Sequence, residues 1–335
     1  MVKPEILVTR AVFPEVIAHL SAHFQVESNQ SDDTWSQAEL IARLQRKVGV
    51  FTTGSERIDA QVLAACPNLR ICANMAVGYN NFDLDAMTEH GVLGTNAPDV
   101  LTQTTADFGF ALLLAAARRV SESEHFLRAG LWRRWRYDMF AGAEVHGATL
   151  GILGMGRIGQ AIAKRGAKGF DMRVLYHNRS RLALDIEAQC GASYVSKDEL
   201  LRAVDHLVLV LPYSQASHHA IGAPELAKMK VGATLVNIAR GGIVDDAALA
   251  DALQYGRLAA AGLDVFEGEP TVHPALLALP NVVLTPHIAS ATVSTRMAMA
   301  MLAADNLIGF LGGGPALTPL NPQVLALPQY AQRKG

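Results

Sequence analysis

Cysteine is scarce in this chain. Only Cys66, Cys72 and Cys190 occur in 335 residues. They form no metal-ligand spacing, so no metal site is expected, and they read as buried free thiols of a reducing compartment. An excess of one charge is missing too: 29 Lys and Arg stand against 31 Asp and Glu, a net charge of −2. That balance gives no sign of a nucleic-acid or membrane surface. No run of about 18 apolar residues is present, so no membrane span is expected. The start, "MVKPEILVTRAVF", lacks the long apolar run and small-residue cleavage site of a signal peptide, which predicts a cytoplasmic protein. Low-complexity segments and internal repeats are absent. What remains is an ordinary globular mixture, 50% hydrophobic and 18% charged. It is long enough for about two domains.

Short apolar runs rich in β-branched residues recur: "EILVT" (5–9), "VGVFTT" (48–53), "LRICAN" (69–74), "TLGILG" (149–154), "RVLYH" (173–177), "HLVLVLP" (206–212), "ATLVNIA" (233–239) and "AAGLDVF" (260–266). Segments with helical spacing separate most of them. The alternation predicts an α/β protein with parallel sheets covered by helices. One long helix is expected from Thr102 or Thr105 to a stop at Gly130. A second should run from about Ala291 to the glycines near 312. Read as connectors, the two helices define a discontinuous domain (1–100 and 288–335) around an inserted one (101–287). A cleft between such domains is a common place for a ligand. The tail after the second helix reads as a surface strap with a frayed end.

Gly154-Met155-Gly156-Arg157-Ile158-Gly159 follows one predicted strand and opens a helix. In that setting the glycines have tasks: a tight turn at Gly154, approach of a pyrophosphate at Gly156, close helix packing at Gly159. The helix N-terminus offers free N–H groups to phosphates. The next strand ends about 19 residues beyond Gly159, where an acidic residue would bind the adenosine ribose of NAD. Here stand Asn178, Arg179 and Ser180, with Arg181 beyond. A guanidinium fork and neutral donors suit a 2′-phosphate. The stretch predicts a preference for NADP(H), with NAD(H) the second cofactor.

Three further stretches end predicted strands of the same domain: "NIARGG" (237–242), "LDVFEGEP" (263–270) and "LTPHIASAT" (284–292). They supply Arg240, Glu269 and His287. The set fits hydride transfer to a 2-keto acid. Arg240 would bind the carboxylate and polarise the keto oxygen, and His287 would donate the proton. Glu269 would orient the imidazole and raise its pKa. The glycine turn in "AVGYN" (76–80) offers N–H groups to the carboxylate.

These stretches, with "LVLVLPYS" and "NAPDVLTQTTADFGFALLLAAAR", resemble the D-isomer-specific 2-hydroxyacid dehydrogenase family over essentially the whole chain. Within it the sequence is most similar to glyoxylate and hydroxypyruvate reductases, including those that reduce 2-ketogluconate. The resemblance implies a Rossmann-type cofactor domain inserted in a flavodoxin-like substrate domain, and a homodimer. It makes Arg240, Glu269 and His287 the catalytic set, and Val77 and Gly78 the substrate-carboxylate turn. Asp264 would contact the nicotinamide carboxamide and Thr105 would stand beside the ring. Leu211, Pro212 and Ile238 would line the cofactor groove. The segment "RAGLWRRWRYDMFAGAEVHG" (128–147) matches the family's dimer interface, where aromatic and arginine residues suit contacts. Other expectations compete: a relative acting on D-lactate or phosphite, or a dinucleotide-sensing protein like the family's corepressor relatives.

Overall fold

A computed structural model of the chain describes residues 3–331. The chain forms two compact units. One comprises residues up to Leu101 and from Thr292 onward, the other Thr102–Ala291.

The first unit contains β1 (Glu5–Val8), β2 (Gln25–Ser28), β3 (Gly49–Thr52), β4 (Ile71–Asn74) and β5 (Leu93–Thr95). All pair in parallel, in the order β2-β1-β3-β4-β5. This is the flavodoxin-like order. Leu7, Val50, Cys72, Val62 and Met87 share one buried cluster. The helix Val293–Leu311 packs on β3 and β4, and Met299, Ala303, Ala304 and Leu307 are among its buried residues. Its alanines permit a close approach, and each fully buried large side chain contributes roughly 1.5–3 kcal/mol.

The second unit contains β6 (Thr149–Leu153), β7 (Arg173–His177), β8 (Ala192–Tyr194), β9 (His206–Leu209), β10 (Ala233–Asn237), β11 (Leu258–Leu263) and β12 (Val282–Leu284). The order is β12-β11-β10-β9-β6-β7-β8, again all parallel. It is the Rossmann arrangement extended by one edge strand. Side chains of β9 alternate between two cores. Leu207 and Leu209 belong to one cluster, Val208 to the other. Burial on both faces explains why "HLVLVLP" shows no polar alternation. The α/β class with two doubly wound parallel sheets is therefore as the alternation predicted.

Two expectations need correction. The single helix from Thr102 to Gly130 is two helices, Thr102–Ala117 and Val120–Arg128. The Ala117 carbonyl accepts from the N–H of Ala143 at 2.8 Å, so an incoming segment replaces the next helical turn. Arg119 then takes a left-handed conformation (φ 53°) and holds Glu122 with two side-chain bonds. The tail is also more than a surface strap. Asn321 and Val324 are buried, Asn321 accepts from the N–H of Gly94 at 2.8 Å, and the Tyr330 hydroxyl donates to Gly91 O at 2.9 Å. The expected frayed end lies outside the described residues.

Candidate active site

Six of the seven strands in the second unit release an expected site residue at their carboxyl end, the edge where doubly wound sheets bind ligands. After β6 comes the glycine turn. Gly154 has φ +102°, and a Cβ there would meet Leu211 N and Val210 C at 2.7 Å. A Cβ on Gly159 would meet Gly154 O at 2.4 Å, so the helix Arg157–Gly169 starts hard against the turn. Gly156, the N-cap, faces open space and provides no side-chain cap to the helix. A helix N-terminus is a favourable place for an anion, and the turn fits a dinucleotide pyrophosphate. Arg157 is exposed, Ile158 half-buried and Met155 fully buried.

After β7, Asn178 is tied to that turn: its Oδ1 accepts from Met155 N at 2.6 Å. Arg179 and Ser180 are exposed. Leu211 and Pro212 follow β9, and the Pro212 carbonyl accepts from the Ser217 hydroxyl at 3.0 Å. Ile238, after β10, is buried. Thr105, on the helix Thr102–Ala117, has a buried hydroxyl with no hydrogen-bond partner among the described residues. An orphaned buried hydroxyl carries a desolvation cost that a bound polar group relieves. Together these residues fit a nicotinamide dinucleotide.

Arg240, Glu269 and His287 lie on the loops after β10, β11 and β12. His287 Nδ1 and Glu269 Oε2 are 2.8 Å apart. With a carboxylate accepting, Nδ1 carries the hydrogen and Nε2 is left to face a ligand. The other Glu269 oxygen accepts from the N–H of Phe266 at 2.9 Å. Burial would raise the Glu269 pKa, but bonds from His287 and Phe266, with the charges of His287 and Arg240, hold it below the usual carboxylate range. Burial draws the Arg240 pKa down, and Glu269 opposes that shift. An arginine keeps its charge through such a change. Gly241 lets this corner close, because a Cβ there would collide with the Phe266 carbonyl at 1.7 Å.

His287 adopts φ +55°, rare for a residue with a side chain. Asp264 holds it there. The Asp264 carbonyl accepts from His287 N at 2.9 Å. Its carboxylate accepts from Thr285 Oγ1 at 2.7 Å and from the N–H groups of Ile288 and Ala289 at 2.8 Å each. The sequence reading gave Asp264 only a cofactor contact, and this bracing role was missed. Asn237 was missed as well: its amide accepts from Ala239 N at 3.0 Å and donates to Arg240 O at 3.3 Å. A polar residue ending a run of apolar ones was the available signal.

In the first unit, Val77 and Gly78 follow β4. Asn96 Nδ2 donates to Val77 O at 2.8 Å and Asn74 Nδ2 to Gly78 O at 2.9 Å. Buried amides thus occupy the carbonyls of this turn and fix its shape. The segment after Val120–Arg128 leaves Trp132 53%, Trp135 73% and Tyr137 93% exposed. Among the described residues, no helix is long and apolar enough to cross a membrane.

Residues 110–289 match the model of the D-isomer specific 2-hydroxyacid dehydrogenase, NAD binding domain. The chain is 48% identical over 327 residues to a glyoxylate reductase of Thermococcus onnurineus, covering 96% of this chain and 97% of the relative. It is 47% identical over 335 residues to a glyoxylate reductase of Aeropyrum pernix, covering 98% and 99%. Among solved structures, it is similar to an NADPH-dependent glyoxylate/hydroxypyruvate reductase from Sinorhizobium meliloti in complex with NADP and malonate. That similarity has a TM-score of 0.82 at 37% identity, covering 95% of this chain and 97% of the other. The chain belongs to the D-isomer specific 2-hydroxyacid dehydrogenase family and is an oxidoreductase.

Proposed function

We propose that the protein is an NADPH-preferring reductase of small 2-keto acids, glyoxylate and hydroxypyruvate first among them, giving D-2-hydroxy acids. The observation that carries this reading is the 2.8 Å Glu269–His287 pair at the sheet edge that also bears Arg240 and the dinucleotide turn. Support for the substrate class comes from the glyoxylate reductases similar to this chain. Support for the cofactor comes from Arg179 and from the NADP complex of the Sinorhizobium relative.

When bound, the nicotinamide supplies the hydride that reaches the keto carbon. Arg240 draws electron density toward the keto oxygen and binds the adjacent carboxylate. His287 Nε2 passes its proton to that oxygen as the carbon–oxygen double bond becomes single. Glu269 holds the ring in orientation and stabilises its charged form before transfer. Thr105, Leu211, Pro212, Ile238 and Asp264 serve the cofactor, and the N–H groups of Val77 and Gly78 take the substrate carboxylate. The exposed Trp132, Trp135 and Tyr137 belong to a homodimer interface.

The test is a kinetic comparison of glyoxylate, hydroxypyruvate, 2-ketogluconate and pyruvate, each with NADPH and with NADH. Glyoxylate or hydroxypyruvate with NADPH should give the highest kcat/KM. A preference for pyruvate would move the protein to the lactate-type readings. No turnover with any acid would favour a dinucleotide-sensing protein.

A further inference from the structure

The loop after β7 is anchored at both ends by side chains that point into the protein. At its start, Asn178 Oδ1 accepts from Met155 N at 2.6 Å, and the Tyr194 hydroxyl donates to Asn178 O at 3.3 Å. At its end stands Tyr176, fully buried in β7. Its hydroxyl accepts from the N–H of Leu182 at 2.8 Å and donates to Glu187 Oε1 at 2.7 Å. Glu187 lies on the helix Leu184–Cys190 and is itself buried. It takes both arms of Arg181, Nε on Oε1 at 2.9 Å and Nη2 on Oε2 at 2.8 Å.

The two arginines of "NRSR" therefore differ in kind. Arg181 is engaged by a carboxylate through a two-point fork, the strong form of this pairing. Arg179, two residues earlier, is exposed. We propose that Tyr176, Arg181 and Glu187 form a positioning network that fixes the 178–182 loop, so that Arg179 is the guanidinium presented to a 2′-phosphate. The network would set the selectivity between phosphorylated and unphosphorylated dinucleotides without touching either. This rests on the cofactor reading above.

Charge and burial agree with a closed network. Bonds from Arg181 and Tyr176 hold the Glu187 carboxyl down to about 2. Burial, with Glu187 alongside, pushes the Tyr176 phenol up to about 12. Glu187 is thus a carboxylate throughout the working range. Replacing it by Gln turns one acceptor into a donor that faces a donor, which breaks the fork with little change of volume.

The test is direct binding to the full-length protein, by the fluorescence of NADPH and of NADH, for the wild type, Glu187→Gln, Tyr176→Phe, Arg179→Ala and the double variant Arg179→Ala/Glu187→Gln. Glu187→Gln should weaken NADPH about 3- to 30-fold and shift NADH by less than about twofold, as for coupled neighbours. Tyr176→Phe should act in the same direction and less strongly. In the Arg179→Ala background, Glu187→Gln should add nothing, because the group it positions is gone. Tighter NADPH binding in Glu187→Gln would mean that Arg181 is itself a phosphate ligand and overturns the proposal. An equal loss for both cofactors, or none, overturns it as well. The reading beneath it fails separately: a wild type that binds both cofactors equally, with Arg179→Ala leaving that ratio unchanged, removes the NADP preference itself. A selective Arg179→Ala beside a silent Glu187→Gln removes only the network.

Discussion

The catalytic corner and the loop after β7 occupy the same sheet edge and are built on opposite plans. At the corner, the groups that would do the chemistry hold one another: Glu269 and His287 are paired at 2.8 Å and Glu269 acts electrostatically on Arg240. In the loop, the paired charges, Arg181 and Glu187, are structural, and the group that would meet the ligand is the exposed Arg179. The difference teaches where damage should show. At the corner, any substitution reaches the reacting atoms and should lower kcat. In the loop, substitution should change which cofactor is used while leaving the chemical step intact.

The sharpest break at the corner is His287→Ala. It should keep cofactor binding and lose turnover by a factor on the order of 10² to 10⁴, the usual cost of a missing general acid. An unchanged kcat at neutral pH would take His287 out of the mechanism. Arg240→Lys comes next. Lysine is a compact charge that cannot grip a carboxylate with two parallel donors while reaching the keto oxygen. A large fall in kcat/KM is expected. A loss under about twofold, well below 1 kcal/mol of transition-state stabilisation, would place Arg240 outside the site.

In the loop the matching substitution is Asn178→Asp. The Asn178 oxygen holds the Met155 N–H, and an aspartate keeps that acceptor, so the turn should survive. The new charge would repel a 2′-phosphate and accept bonds from free ribose hydroxyls. One charge-assisted bond is worth roughly 1.5–3 kcal/mol, so the NADPH:NADH ratio of kcat/KM should fall about 10- to 100-fold. Arg179→Ala should lower the same ratio by removing the fork. A ratio that stays put in both variants would mean that the loop does not read the phosphate; equal efficiency with both cofactors in the wild type would make the enzyme dual-specific, and the lack of an acidic residue simple tolerance.

The sequence was most legible where one residue type has one physical reason to be where it is. "HLVLVLP" fits a strand buried on both faces and is one, and Gly154 and Gly159 sit where a Cβ meets backbone within 2.7 Å. Edge strands were harder. β2 (Gln25–Ser28) and β8 (Ala192–Tyr194) are short and only partly buried, so neither forms a strong apolar run. The break at Arg119 was invisible because its cause is remote in sequence: the N–H of Ala143 takes a carbonyl the helix would have used. Glu187 was hidden for the same reason. On a helical segment it reads as a surface charge, and only the fold brings it under Tyr176 and Arg181. Arg240, Glu269 and His287 could be read together because each lies on the loop after a predicted strand. The bracing of the His287 loop by Asp264 was not legible, since all four of its donors come from residues 285–289 across the sheet edge.

The smallest expected effect separates the two plans by pH. Glu187 and Glu269 both have carboxyls held below their ordinary value, 4.5 in each case. A carboxyl with a depressed pKa in the folded state favours folding while it is ionised. That contribution is fully present above the ordinary value and is lost as pH falls through the folded one. For Glu187 the window runs from 4.5 down to about 2. A glutamine cannot ionise and has no such window. The wild type should therefore melt above Glu187→Gln at neutral pH, and the gap in Tm should narrow steadily as pH drops through that window. For Glu269 the sign is the same, but the group is more open to solvent, 33% against 8% for the Glu187 side chain. Solvent screening reduces its share, so Glu269→Gln should show the smaller gap in Tm. The activities should rank the other way, with Glu269→Gln losing kcat and Glu187→Gln keeping its rate with NADH. A Tm gap for Glu187→Gln that does not change with pH would mean that the Arg181 fork adds packing and no charge. The contrast between a structural ion pair and a chemical one would then have to rest on the kinetics alone.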